Sequence, residues 1–346
     1  MQPLNFDFIH IDTGLAVGLA QSMVKYLQPF AIHSFMLGCT YPHDAAEEDK
    51  ARYKKDFQAV LTRELEIIWG VPHEANDPDV QLLIEFDRGL VMTRLRPVFI
   101  GGRYTKASRQ LAQTIHYCLY CKGRGCLRCK GKGRTEYLSV QEKIAPFFEA
   151  ACTGNGNFFH GAGREDVDVR MLGRGRPFVI EIVEPHIRFF DLFALAASIN
   201  DANRNECAVH DLYFTNRIEV ARIKEARHEK IYRAMVRTDA PLEPQSIAHL
   251  AGQSFEVAQR TPNRVEHRRA DMVRNRRATV LKAIVLDSNR FETEIRTDAG
   301  LYVKEFIFGD HGRSDPSLSS ILGMNCTCLE LDVLEIVEPA QSRETG

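Results

Sequence analysis

His160-Gly-Ala-Gly-Arg-Glu-Asp-Val-Asp-Val-Arg-Met-Leu-Gly-Arg-Gly-Arg176, followed by the strand-like Pro177-Phe-Val-Ile-Glu-Ile182, is the stretch from which the rest of the chain is read. Seven charged residues and four glycines alternate there, on what reads as a tight connection. Asp166 stands among arginines, and a neighbouring cation favours the ionised form of a carboxylate. An ionised, positioned carboxylate serves nucleophilic or general-base chemistry. A loop of solvated charges is the alternative, and the glycines and the β-like run that follows argue against it.

At 346 residues and 44% apolar, the chain has room for two domains with their own cores, or for one large domain with an appendage. A net charge of −1 excludes a uniformly basic nucleic-acid binder, yet the cations are segregated. Gly102 to Arg134 carries nine Lys/Arg and no acid, and Arg260 to Lys282 carries eight against Glu266 and Asp271. The acids gather elsewhere, at Asp44 to Asp49 and Glu330 to Glu338. Two basic stripes on a neutral chain are the footprint of a polyanion site, with solvated surface faces as the alternative. No apolar run approaches the length of a membrane span, about 18 residues. The opening Met1-Gln-Pro-Leu-Asn-Phe-Asp-Phe8 lacks the basic and apolar regions of a secretion signal. Nine cysteines, four of them clustered, fit metal binding in a reducing compartment, so the cytoplasm is the expected location.

Apolar spacing predicts a helix over 14–28, with Leu15, Leu19, Met23 and Leu27 on one face. A second is predicted over 45–69, with Tyr53, Phe57, Val60, Leu61, Leu65 and Ile68 as its stripe and Gly70 as its stop. Val80 to Phe86, Asp87-Arg88-Gly89 and Leu90 to Leu95 read as a hairpin. The character changes at Arg96. Beyond it come a helix at Val140 to Cys152, a strand at Phe178 to Glu184 and a helix at Phe189 to Asn200. Strands are then expected near Ile218, at Ile231 to Val236, Thr279 to Leu286, Phe291 to Thr297, Tyr302 to Phe308 and Cys328 to Val337. The fold class is therefore α+β, with a strand-rich, mainly antiparallel C-terminal part and no internal repeat.

Cys118-x2-Cys121-x4-Cys126-x2-Cys129 is the metal signal. Two Cys-x2-Cys turns complete a closed tetrahedron of thiolates, so zinc there is structural, and iron in a rubredoxin-like site takes the same ligands. The interleaved Lys122, Arg124, Arg128, Lys130, Lys132 and Arg134 suggest that this knuckle also touches phosphates.

Gly163-Arg164-Glu165-Asp166 resembles the Gly-Arg-x-Asp motif of RNA pseudouridine synthases. Lys230-Ile231-Tyr232 resembles their Lys-x-Tyr strand, and Gly300-Leu301-Tyr302-Val303-Lys304 their Gly-x-Tyr-(Ile/Val)-(Arg/Lys) motif. Longer runs are more specific: Gly102-Arg103-Tyr104 with Gln113-Thr114, His160 to Phe178, Gln259 to Asp271, and Gly309 to Ser317. Together they resemble the archaeal and eukaryal Pus-ten family, which joins a THUMP-containing N-terminal domain to a pseudouridine synthase domain. The resemblance implies a THUMP-containing RNA-binding domain over 1–115, a four-cysteine zinc knuckle over 116–136 and a catalytic domain over 137–346. Many family members carry a further Cys-x2-Cys near the N-terminus. The first cysteine here is Cys39, which leaves all four ligands to Cys118 to Cys129.

The implied reaction isomerises uridine in the T-loop of tRNA, at positions 54, 55 or both, and consumes no cofactor. Asp166 would be the catalytic carboxylate, and only the family motif chooses it over Asp168. Tyr232 would stack on the flipped base. Lys304 would pair with Asp166, and Arg164 would share that pairing or displace the base. Arg260, Arg264, Arg268 and Arg269 would clamp phosphates, with Arg103, Tyr104, Lys106 and Arg109 as a second RNA contact. The partner is tRNA, held at its T-arm and acceptor end, with no membrane and no obligate protein partner. Rival readings are a zinc-knuckle tRNA-binding protein without catalysis, another tRNA-modifying enzyme and a metal-dependent nuclease using Asp166 and Asp168. A methyltransferase would need a glycine-rich turn after a strand, and Gly154-Asn155-Gly156 does not follow one.

Overall fold

The structure is a computed structural model, which describes residues 13–40 and 46–337 except the side chains of residues 13, 49, 51–55, 87, 267 and 268. Tyr53 of the expected second stripe and Arg268 of the expected clamp therefore have side chains outside the described residues.

The apolar spacing at the start of the chain forms α1 (Thr13–Leu27), with Leu19, Met23 and Leu27 buried. A strand that the periodicity did not reveal, β1 (Phe35–Thr40), follows. Its six residues are too few for an alternation to stand out. The expected long helix is broken into α2 (Glu47–Arg52), a π-helical turn (Tyr53–Gln58) and α3 (Ala59–Trp69). At the break, the Gln58 side chain donates to the carbonyl of Leu37. Phe57, Leu61 and Leu65 are buried, whereas Ile68, counted in the expected stripe, is exposed. Gly70 ends α3 in the left-handed region, as the sequence predicts. β2 (Val80–Glu85) and β3 (Leu90–Leu95) are the expected hairpin, and β1 adds to it in parallel, with Phe35 opposite Val80. Residues of α1 and α3 share one core with Phe35, Leu37, Val80, Leu82 and Val91 of this small sheet.

The remaining elements begin with β4 (Val98–Lys106), α4 (Val140–Cys152), β5 (Asn157–Gly161), β6 (Val169–Ile182), α5 (Leu192–Ala202) and β7 (Cys207–Thr215). Next come α6 (Arg217–Glu225), β8 (Glu229–Thr238), α7 (Pro244–Ala248), β9 (Ser254–Arg260), β10 (Val273–Asp287) and β11 (Arg290–Thr297). The last are α8 (Val303–Phe308), β12 (Ser314–Asp315), α9 (Leu318–Leu322) and β13 (Cys326–Val337). They form a ten-stranded sheet in the order β12-β9-β10-β11-β8-β13-β6-β4-β7, with β5 paired to β6. From β12 to β13 every pairing is antiparallel, and β13 meets β6 in parallel. The fold is thus mixed α+β around a large mixed sheet.

By contacts the chain divides into two compact units. One holds the described part of Met1–Ile100 with Ala145–Phe158 and Ile180–Leu195. The other holds Gly101–Ile144, Phe159–Val179 and the described part of Ala196–Gly346. Among the described residues no helix is long and apolar enough to cross a membrane.

Three expectations are corrected. Ile218 lies on α6, not on a strand: Asn216 caps that helix by accepting from the Ile218 N–H, and Glu219 pairs with Arg222 one turn on. The run Tyr302 to Phe308 is largely the helix α8, closed by Gly309 at φ 92°. Val303, Glu305, Phe306 and Ile307 are all buried, so its pattern mimics a two-sided strand. The strand expected from Phe178 begins nine residues earlier, at Val169.

The early half of β6 bends at Gly173 and Gly175, which have φ 57° and 69°. A Cβ at Gly175 would sit 2.5 Å from the carbonyl oxygen of Tyr104. Gly175→Ala should therefore destabilise the chain by about 2–3 kcal/mol, from left-handed strain and a displaced backbone. The midpoint of urea unfolding checks this.

Candidate active site and cysteine knuckle

The loop between β5 and β6 carries Asp166, and buried groups hold it from beneath. Glu165 and Arg176 form an ion pair, Nε to Oε2 at 2.8 Å, with both side chains 1% exposed. The Tyr104 hydroxyl on β4 donates to both Glu165 oxygens at 2.8 and 3.0 Å, and Gln113 Nε2 donates to Tyr104 at 2.7 Å and to the Gly163 carbonyl at 2.9 Å. Burial, and then the Glu165 charge, raise Tyr104 well above the usual phenol range, so it stays a donor. Arg176 also donates to the Ala162 carbonyl. Lys106, wholly buried, donates from Nζ to the carbonyls of Leu111, Asp166 and Val167 at 2.7, 3.1 and 2.9 Å. Burial lowers its pKa to about 8 against the pull of Glu165. An ammonium has three N–H bonds, and here each finds an acceptor.

Three other elements bring side chains to this loop. β8 supplies Tyr232, α8 supplies Lys304, and the 3-10 turn Asn263–Arg268 supplies Arg264. Arg264 reaches the Asp166 carboxylate at 3.1 Å and is itself held by Glu305, Nε to Oε1 at 2.6 Å. Lys304 Nζ lies 2.8 Å from both oxygens of Asp168 and 3.5 Å from Asp166. Burial pushes the Asp168 carboxyl up, but the hydrogen bond and charge of Lys304 outweigh it and hold Asp168 below the ordinary carboxylate range. Burial pushes the Tyr232 hydroxyl up to about 12, partly offset by Arg176, so it is protonated at neutral pH. Arg164, Asp166, Tyr232, Arg264, Tyr302 and Lys304 line one cavity of about 540 Å³.

On the far side of Asp168, buried Asp332 of β13 gathers three arginines. It accepts from Arg109 at 2.7 Å, from Arg170 twice at 2.7 Å and from Arg233 at 3.1 Å. Arg109 in turn donates to the Asp168 carbonyl at 2.9 Å. Asp332 therefore steadies the C-terminal side of the loop as Glu165 steadies its centre.

The four knuckle sulfurs lie within 4.8 Å of one another, with Sγ–Sγ separations of 3.9, 3.8 and 3.7 Å for three pairs. A tetrahedral zinc with Zn–S of about 2.3 Å requires about 3.8 Å between sulfurs, so the donor set fits such an ion. Burial pushes the Cys129 thiol up, but the Cys126 and Gly133 N–H groups, each 3.2 Å from its sulfur, outweigh this and bring it down to about 6. The expectation of no internal repeat is also corrected. Cys118-Leu-Tyr-Cys-Lys-Gly-Arg-Gly125 and Cys126-Leu-Arg-Cys-Lys-Gly-Lys-Gly133 are one eight-residue unit used twice. Lys122, Gly123 and Gly125 of the first copy and Lys130, Gly131 and Gly133 of the second all have positive φ.

Residues 99–337 match the family described as Pus10, C-terminal. The chain belongs to that family. A relative from Methanocaldococcus jannaschii, named tRNA pseudouridine synthase Pus10, is 44% identical over 261 residues, which are 75% of this chain and 57% of that protein. Proteins of the same name from Methanothermobacter marburgensis and Archaeoglobus fulgidus are 42% and 40% identical over 83% and 82% of this chain, and 72% and 79% of theirs. A chain from a solved Cbf5-Nop10-Gar1 complex aligns over 57% of this chain and 45% of its own at 14% identity, with a TM-score of 0.32.

The structure brings Asp166, Tyr232, Lys304 and Arg164 to one cavity, as the motifs predict, but redistributes their contacts. Lys304 pairs first with Asp168, because α8 delivers it nearer to that carboxylate, and Arg264 is the cation closer to Asp166. Arg164 is hydrogen-bonded to His116. The second RNA contact is corrected. Tyr104 and Lys106 are fully buried, Arg103 donates inward to the carbonyls of Arg174 and Gly175, and the Arg109 donors are occupied by Asp168, Leu331, Glu330 and Asp332. These four spend their polar groups on the protein itself, on Glu165, Gly175 and the carbonyls and carboxylates around the Asp166 loop. Arg260, bonded to Asp271, and Arg269 remain exposed. Sequence reasoning missed Glu165, Arg176, Gln113, Glu305 and Asp332 as supports. The signal for the first two was present, since an acid and an arginine inside a glycine-rich run beside a buried strand need a partner.

Asp332 has its pKa lowered: burial acts to raise it, but hydrogen bonds from Arg170 and Arg233 and the charge of Arg109 prevail. Its stabilisation is therefore present above the unfolded value of about 3.9 and is lost as pH falls through the lower folded value. Asp332→Asn should cost about 2–3 kcal/mol at neutral pH, since its arginines are part-exposed, and should flatten the loss of stability below about pH 4. Urea unfolding at several pH values measures both.

Proposed function

We propose that the chain is a tRNA pseudouridine synthase that acts on T-loop uridines at positions 54, 55 or both, with Asp166 as its catalytic carboxylate. The observation that carries this reading is the Asp166 carboxylate, 3.1 Å from Arg264 and 3.5 Å from Lys304, in a cavity shared with Tyr232, in a chain of this family. The isomerisation breaks the N-glycosidic bond, turns the uracil and forms a C–C bond. No atom is gained or lost, so no cofactor is consumed. Two cations beside one carboxylate hold it in place for attack or for proton removal. Tyr232 offers a ring for the extruded base and a hydroxyl that stays a donor. Lys304 bridges Asp166 and Asp168 and fixes their spacing. Arg164, exposed and lining the cavity after Gly163, displaces the target base, and the exposed Arg260 and Arg269 meet phosphates.

The N-terminal part serves as the THUMP-like RNA-binding portion and holds the acceptor end of tRNA. Cys118, Cys121, Cys126 and Cys129 hold a structural zinc, whose closed shell keeps the knuckle folded. The methyltransferase alternative gains no support, since Gly154-Asn155-Gly156 lies between α4 and β5, after a helix.

Incubation with unmodified tRNA transcript, followed by carbodiimide-based primer extension, should map pseudouridine to the T-loop. Asp166→Ala should abolish it by at least about a thousandfold while tRNA affinity changes less than about threefold. Tight tRNA binding with no pseudouridine would leave the non-catalytic binding protein as the better reading. Metal analysis of the purified chain should find about one zinc per chain, and Cys129→Ser should lower that content and the melting temperature. Iron in place of zinc would correct the metal.

A further inference from the structure

Arg103, Lys106 and Arg109 of the first basic stripe are spent on the protein's own acceptors, which leaves the cations of the knuckle to be explained. In the knuckle, Lys122, Arg124, Arg128, Lys130 and Lys132 are all exposed, with no carboxylate between Cys118 and Gly133. Large apolar side chains stand beside them: Leu119 is 79% exposed, Tyr120 68% and Leu127 98%. The eight-residue repeat accounts for this arrangement. Each Cys-x2-Cys turn directs its sulfurs to one centre, so the two residues between the cysteines point away from it. Leu119-Tyr120 and Leu127-Arg128 are therefore equivalent outward pairs, and Lys122/Lys130 and Arg124/Lys132 are equivalent outward cations. The two copies meet where the Arg128 guanidinium lies 3.8 Å from the Tyr120 ring centroid. Beside that stack is a depression of about 480 Å³, lined by Tyr120, Arg128, Lys130, Lys132 and Tyr137, with Glu136 as its one carboxylate.

We propose that the knuckle is a single-stranded RNA-binding element, in which Tyr120 and the Arg128 stacked on it carry an unpaired base and the repeated cations hold the phosphates on either side. A flat π surface with cations spaced along it is the chemistry that single strands require, because every base has a π-face and the backbone charge recurs at each nucleotide. A protein partner would explain the exposed leucines but not five exposed cations on a sixteen-residue stretch without a carboxylate. Unpaired nucleotides of tRNA are the occupant. That choice rests on the function proposed above, whereas the binding chemistry does not.

Fluorescence anisotropy of the full chain, with labelled unmodified tRNA and with a labelled oligouridylate, tests this. Tyr120→Ala should weaken binding of both by roughly tenfold to a hundredfold, and Tyr120→Phe should restore it. Lys130→Ala with Lys132→Ala should reduce the slope of log affinity against log salt by about 0.7 per lysine. Unchanged zinc content and melting temperature certify the fold, with Tyr120→Leu as a second variant if Tyr120→Ala does not fold. In turnover, KM for tRNA should rise in Tyr120→Ala while kcat stays put. Equal affinity of wild type and Tyr120→Ala for both RNAs would overturn the proposal. So would a concentration-dependent dimer, seen by sedimentation, that Leu127→Glu abolishes while RNA binding persists. An absence of pseudouridine with Tyr120-dependent binding intact would refute only the enzymatic reading.

Discussion

The Arg176–Glu165 pair is the constraint on which the site depends. Both charges are removed from water, and their mutual attraction offsets that loss only because every remaining bond in reach is made. Tyr104 donates to Glu165, Gln113 supports Tyr104, and Arg176 reaches the Ala162 carbonyl. Loss of any one member leaves a buried charge or donor unpaired, which costs about 3–5 kcal/mol for an ion pair. The result is a loop whose backbone has one arrangement, so Asp166 leaves it in one direction. Such rigidity is what a carboxylate needs if it is to meet a substrate atom within a few tenths of an ångström.

Above that anchor, the electrostatics divide two neighbouring acids. Asp168 takes Lys304 at 2.8 Å on both oxygens, while Asp166 shares a more distant Lys304 with Arg264. A carboxylate with both oxygens on an ammonium is poorly placed to do more. Asp166, with looser partners and a cavity in front of it, keeps lone pairs free to act. Buried Glu305 behind Arg264 makes the same point from the other side, because it fixes the cation that Asp166 meets. Lys106 closes the frame by binding the loop's carbonyls rather than its side chains.

The knuckle works by a different physics. Its sixteen residues from Cys118 to Gly133 contribute only two buried apolar-class side chains, Cys118 and Cys121, so no hydrophobic core of its own sustains it. Four convergent cysteine sulfurs stand in that place, and the left-handed residues in each copy let the chain turn around them. A segment free of the need to bury its large side chains can display them, and this one displays leucine, tyrosine and cations together.

Much of this was legible in the chain itself. Most of the stripes of α1 and α3, the hairpin, the clustering of four cysteines and the run around Asp166 are local patterns, set by spacing along the chain, and the structure keeps them. The repeat in the knuckle was equally local and was overlooked. What the sequence alone did not determine was partnership. Arg103, Tyr104, Lys106 and Arg109 read as a cationic, aromatic surface because composition counts charges without regard to the side they face. The sheet decides that side: β4 pairs with β6, so its residues stand behind the Asp166 loop, and long-range carbonyls and carboxylates absorb their donors. The same holds for Lys304. Its motif predicts a cation near Asp166, but α8 is a helix rather than a strand, and the turn of that helix brings the ammonium to Asp168 first. Spacing along the chain determined which groups are present, and the tertiary structure decided which of them meet, because charge pairing depends on distances that no local pattern encodes.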